Sequence, residues 1–295
     1  MPLHLCSSVP YLWQICILIA MQQSRTDLTY AEANAGPIGQ KVSDAQIDAW
    51  VEQFHRDGFL VLHDVLPREL IPVLREDLDA ALNAAPKTGA MLELQLRMFE
   101  RSPANLAVFE LEPIVSFAEK LVRYDCHVVH NNSFRTPSGG GISMWHQDDP
   151  PHYEVTHGEP PTNVRLPVML FTANYYLTDV EDVKFGPTEV IPGSHLFGAA
   201  PPTAMEGTRW EPKIVSCTAR GGSVVMFNNQ VWHRGAPNKS ERVRYMTQVS
   251  YARRIIGHRY FPFMGYVMPE QCLAGLENNP RKKRLMGFLS SGAYG

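Results

Sequence analysis

Ile47, Trp50, Val51 and Phe54 recur at three- and four-residue spacing. This predicts an amphipathic helix that starts at an N-cap of Ser43 or Asp44 and is stopped by Gly58. Phe59-Leu60-Val61-Leu62 then reads as a strand. Pro67 opens a second helix over 67–84, with Leu70, Val73, Leu74, Leu78 and Leu82 on one face, and residues 105–123 read as a third. From Cys126 the period changes. Short β-rich runs alternate with Gly/Pro turns at 126–135, 164–178, 188–191, 213–217, 223–228 and 244–253. Many short strands with regular turn signals predict a sandwich or barrel. The order is helices first, then a β-rich body, in one domain over 43–295. Residues 22–42 are polar and Gly/Ala-rich and read as an arm, part of an extension covering 1–42.

Length and charge narrow the function. A chain of 295 residues can bury a substantial core, and its net charge of −3 predicts neither nucleic-acid nor anionic-membrane binding. A small-molecule partner is the default; a monomer and a homodimer both remain open. The five cysteines are odd in number and widely spaced, with no C-x-x-C, so a reducing, cytoplasmic setting fits better than a disulfide framework. The apolar run 9–20 is shorter than the roughly 20 residues a bilayer span needs. Met21 follows it directly, so residues 1–20 are read as an upstream extension from a misassigned start, with a tethering or secretory segment as the alternative. The basic run 281–284 reads as a solvated helix face.

The sharpest local signal is Trp145-His146-Gln147-Asp148. Two residues apart on a strand project from one face, so His146 and Asp148 can reach one ion. His233, just after the strand 223–227, is the candidate third ligand. Two imidazoles and one carboxylate form the facial triad of non-haem iron(II) oxygenases, which leaves three coordination positions open. A zinc hydrolase can use the same residues, so the triad alone does not choose. His152 and His157, beyond Pro150-Pro151, read as solvent-exposed, and Asp149 as facing away from Asp148. A 2-oxo diacid bound to such an ion needs a cation for its distal carboxylate, and arginine suits it by bidentate pairing. Arg242 and Arg244 share strand parity; Arg244 enters the strand and is favoured.

Three segments carry a resemblance when taken together: Trp145–Asp148, Gly186–His195, and Gly221–Phe227 with Trp232–Asn238 and Arg244. With the early run Phe54–Leu62, their order and spacing resemble the phytanoyl-CoA dioxygenase family over about residues 43–255. The resemblance implies a mainly β fold, a double-stranded β-helix (jelly-roll, cupin-like) core with helices packed outside. It implies iron(II), 2-oxoglutarate and oxygen as reactants, His146, Asp148 and His233 as ligands, and Arg244 on the C5 carboxylate. Thr172, Asn174, Asn131 and Ser133 become candidate 2-oxoglutarate contacts, and His195 a structural residue. Related halogenases replace the carboxylate ligand with a small residue, so Asp148 points to oxygenation.

The reading is therefore an oxygenase that hydroxylates an aliphatic C–H bond of a small metabolite or natural-product intermediate of secondary metabolism, releasing succinate and CO2. The alternative is a non-catalytic jelly roll that binds a metal or 2-oxo acid. The stretch Pro150–Pro167 reads as a lid whose mixed polar groups favour a small polar substrate over a long acyl chain.

Overall fold

The computed structural model describes residues 28–84, 92–258 and 266–288. The expectation for residues 1–20 lies outside them. The helices are α1 (Tyr30–Asn34), α2 (Asp44–Asp57), α3 (Leu70–Asn83), α4 (Pro103–Ala107), α5 (Ile114–Leu121) and α6 (Pro280–Leu285). The strands are β1 (Ile38–Gly39), β2 (Phe59–Leu62), β3 (Glu93–Leu96), β4 (Leu111–Glu112), β5 (His127–Thr136), β6 (Ile142–His146), β7 (Leu170–Tyr176), β8 (Thr188–Val190), β9 (Val215–Cys217), β10 (Val224–Asn228), β11 (His233–Gly235) and β12 (Arg244–Ala252).

Two antiparallel sheets make the jelly roll. The larger runs β2-β10-β7-β12-β5-β3 and the smaller β6-β11-β8-β9. Strand alternation gives the larger sheet two different faces. Phe171, Ala173, Tyr175, Val224, Met226, Val249 and Tyr251 pack under the helices. Tyr176, Val225, Phe227, Met246 and Phe134 face inward and meet Val190 and Cys217 of the smaller sheet. The outer core is joined by edge-on rings, with Phe54 of α2 lying 5.5 Å from Phe117 and 5.9 Å from Phe171.

Helix α2 begins and ends as its sequence predicts. Ser43 accepts the Gln46 N–H, and Gly58 closes the helix at φ +79°. Gly58 also lets the chain pass close to the candidate site: a Cβ here would strike Val231 and stand 2.5 Å from His195 Nδ1. Gly58→Ala should therefore cost about 1–3 kcal/mol by overpacking, on top of the left-handed strain. A urea denaturation midpoint reads this directly, and an unchanged midpoint would show that the contact relaxes freely.

The structure corrects three expectations here. The third helix is broken: α4 and α5 are separated by a 3₁₀ turn, β4 and the cis Glu112–Pro113 bond. The arm is packed where it is described, because β1 pairs in parallel with β4 and buried Asn34 donates to the Cys272 and Ala274 carbonyls. The basic run is not a solvated face. Lys282 is fully buried against the Leu106 carbonyl and Glu110, Arg281 bonds Glu112 and Glu119, and Arg284 bonds Glu119. Burial pushes the Lys282 ammonium down to about 8. The acids that receive this run lie more than 150 positions earlier in the chain, beyond the reach of local charge patterning.

Candidate metal centre

His146 ends β6 and His233 begins β11, and the two are direct cross-strand partners. Their ring centroids are 4.2 Å apart. Both imidazoles are oriented by the same device. His146 Nδ1 lies 2.9 Å from the Met144 carbonyl, and His233 Nδ1 lies 2.9 Å from the Val231 carbonyl. A carbonyl only accepts, so each Nδ1 carries the proton and each Nε2 offers a lone pair. His233 is buried beside Phe227, and desolvation lowers its pKa and keeps it neutral. Asp148 Oδ1 stands 3.6 Å from His233 Nε2. One ligand atom from each of the three residues lies within 4.8 Å of the others.

Asp148 reaches this place differently from the expectation. Strand β6 ends at His146, so the carboxylate is held by a loop instead of strand parity. The turn Asn228–Gln230 clasps that loop. The Asp148 N–H donates to the Asn229 carbonyl (3.0 Å), and Asn229 Nδ2 donates to Asp149 Oδ2 (2.6 Å). The Gln230 amide donates to the Asp149 and Pro150 carbonyls, its Oε1 accepts the His152 N–H, and its own carbonyl accepts from Gln147. Gln230 and Asn229 carried no motif in the sequence; only proximity to His233 could have drawn notice to them. Gln230→Ala should lower metal affinity about 10- to 100-fold, the range typical of groups that orient a ligand. Calorimetric titration of the apo protein with nickel(II) measures this, and unchanged affinity would show that the Gln230 side chain does not position Asp148.

The donor set fits a divalent ion that prefers nitrogen and oxygen. The three cysteines of the described residues, Cys126, Cys217 and Cys272, are all buried outside the cluster. The structure also separates the two arginines. Arg242 is exposed and lies on the Phe185 ring at 3.6 Å. Arg244 is 6% exposed, points to the inner face, and donates to Thr136 Oγ1 at 3.3 Å, while its Nε is buried with no partner among the described residues. Gly186 makes room for it, since a Cβ there would stand 3.1 Å from Arg244 Nη1. Burial lowers the Arg244 pKa without removing its charge. A buried guanidinium with an idle N–H calls for an anion.

Thr172 and Asn174 share the inner face with Arg244, where Thr172 bonds Ser250 (2.8 Å) and Asn174 accepts from Gln248 (3.0 Å). Asn131 and Ser133 do not. They pair with Val249 and Thr247, whose side chains face the helices, and Ser133 bonds Thr247 there. Their neighbour Asn132 takes the inward parity instead, and Gln248, Ser250 and His130 also line the inner face. Gln248 and Ser250 follow Arg244 at even spacing, a signal the sequence did contain. His195 is buried against the His55 carbonyl, outside the triad.

Beside the cluster, the stretch 150–167 is tied down by Tyr153 on the Leu196 carbonyl, Val155 on Gly198 and Arg165 on Glu52. It roofs a cavity of about 450 Å³ lined by Asp149, His152, Tyr153, Leu166, Met169 and Ile256.

A family model described as phytanoyl-CoA dioxygenase (PhyH) matches residues 54–246. Solved structures that share the fold include HygX and SnoN. HygX from Streptomyces hygroscopicus, with nickel, 2-oxoglutarate and hygromycin B bound, is 17% identical at a TM-score of 0.55, covering 75% of this chain and 89% of its own. The epimerase SnoN, in complex with Fe3+, alpha ketoglutarate and nogalamycin RO, is 16% identical at a TM-score of 0.58, covering 77% and 94%.

Proposed function

The chain belongs to the phytanoyl-CoA dioxygenase family of non-haem iron, 2-oxoglutarate-dependent enzymes, and on that premise we propose that it hydroxylates an aliphatic C–H bond of a small natural-product intermediate. The observation that carries this reading is the convergence of His146, Asp148 and His233 around one point on the smaller sheet, with Arg244 buried on the inward face of the larger sheet.

In this reading His146 Nε2, an Asp148 carboxylate oxygen and His233 Nε2 would hold the iron. When bound, iron(II) couples the oxidative decarboxylation of 2-oxoglutarate to succinate and CO2 with insertion of the second oxygen atom into the substrate bond. The protein's own residues bind and orient. Arg244 receives the C5 carboxylate, with its idle Nε–H and neighbouring Thr136, while Asn174 and Thr172 offer further polar contacts. Val225, Phe227 and Met246 exclude water from the interior. No side chain is needed as a general base.

The 450 Å³ cavity supports the substrate class. Leu166, Met169 and Ile256 suit the apolar body of a compact molecule, and Asp149, His152 and Tyr153 suit its hydroxyl or amino groups. HygX and SnoN likewise bind small molecules, hygromycin B and nogalamycin RO. The test is a screen of succinate release with iron(II), 2-oxoglutarate and ascorbate across natural-product and acyl-CoA panels. Coupled succinate and hydroxylated product with a compact polar compound is the expected result. Preference for long acyl-CoA would overturn the substrate class, and no 2-oxoglutarate turnover with any compound would favour a binding protein.

A further inference from the structure

A second cavity, of about 720 Å³, opens at the other end of the barrel from the metal centre. The cavity under the 150–167 stretch, beside the metal cluster, is lined by Leu170, Asn228 and Ile256, where β7 begins and β10 ends. The second cavity is lined by Leu177, Thr178, Gly221 and Arg244, where β7 ends and β12 begins.

Its charge is at odds with the chain. The protein carries a net charge of −3, yet among the described residues Arg68, Arg75, Arg242 and Arg244 line this cavity against one acid, Asp179. Asp179 already accepts the Gly221 N–H, and Arg68 is engaged with Asp64. Arg75 and Arg242 are different. Arg75 rests on the Tyr245 ring at 4.7 Å and Arg242 on the Phe185 ring at 3.6 Å, and both rings line the same cavity. Among the described residues neither makes an ion pair. A guanidinium laid on a ring is fixed in place and still presents its in-plane N–H groups outward. Concave walls also concentrate the field of like charges and draw in anions.

We propose that this cavity is an anion site for a phosphate-bearing small molecule, distinct from the substrate site and adjoining the 2-oxoglutarate site at Arg244. A phosphate monoester carries nearly two negative charges and three acceptor oxygens, which match two fixed, unpaired guanidinium groups better than one carboxylate does. Arg244, which lines the cavity, is also the co-substrate anchor of the proposed function, so occupancy can tune 2-oxoglutarate affinity.

The test is calorimetric titration of phenyl phosphate, with benzoate as the carboxylate counterpart, into the full chain loaded with nickel(II) and 2-oxoglutarate. Saturable one-to-one binding of phenyl phosphate is expected, weakening with added salt and at least tenfold weaker in Arg75→Gln/Arg242→Gln. The Arg75→Lys/Arg242→Lys protein keeps the charge and should retain part of the affinity. Both variants lie on the surface, and their unchanged nickel and 2-oxoglutarate binding confirms an intact fold. Absence of saturable binding, equal binding by the double Gln variant, equal binding of benzoate, or binding only before 2-oxoglutarate is added would each overturn the proposal. The last outcome would make the cavity part of the co-substrate site and leave the oxygenase reading untouched.

Discussion

Asp148→Ala should leave the fold standing and remove tight metal binding. The residue sits in a loop, its side chain is a quarter exposed, and its backbone N–H bond to Asn229 survives the change. The core clusters do not include it. What is lost is the only carboxylate of the cluster, leaving two neutral imidazoles to hold a divalent ion. Groups that merely orient a ligand are worth about 10–100-fold in affinity, so loss of the ligand itself should cost at least about 100-fold in nickel(II) or iron(II) affinity. Coupled succinate release should fall at least as far. His233→Ala should match it, with an added packing loss because His233 is buried against Phe227. The measurements are metal content after dialysis and succinate release at saturating 2-oxoglutarate. Near wild-type metal binding by either variant would remove that residue from the ligand set.

Arg244→Gln should act on the co-substrate and spare the metal. Truncating one partner of a buried charge pair typically costs about 2 kcal/mol or more. At about 1.4 kcal/mol per decade this raises the 2-oxoglutarate KM by about 30-fold or more. Nickel(II) affinity without 2-oxoglutarate should stay within about threefold, since the change falls away from the ligands and its cost there is of order 0.5 kcal/mol. Arg242→Ala removes an exposed side chain from the Phe185 ring and should shift the KM by a similarly small factor. The reverse ranking of the two arginines would move the anchor to Arg242. The pair of measurements also separates anchor from scaffold, because a folding defect would weaken metal and co-substrate alike.

Much of this was legible in the chain. The spacing of Ile47, Val51 and Phe54 with Ser43 and Gly58 at the ends gives α2 nearly to the residue, because cap and core face are both local properties. The β-rich body was legible from turn spacing, and β10 over Val224–Asn228 lies within the predicted run 223–228. Local reasoning failed where a contact partner decides the outcome. The basic run 281–284 reads as a solvated face until Glu110, Glu112 and Glu119 are brought to it. Asn131 and Ser133 are polar residues on an inner-sheet strand, yet one residue of register turns them toward the helices and turns Asn132 inward.

The sequence by itself determined the chemical inventory: two histidines and an aspartate in a recognisable order, an arginine downstream, and the periods that build helices and then a jelly roll. These are properties of residue type and near-neighbour spacing, and a chain carries them whatever its fold. The tertiary structure alone decided which groups share a space. It set His146 opposite His233 across two strands, brought the Asn228–Gln230 turn under Asp148, buried Arg244 while leaving Arg242 on a ring at the surface, and closed the barrel between two cavities. Convergence of that kind depends on strand register and packing between residues far apart in the chain, and no local pattern encodes it.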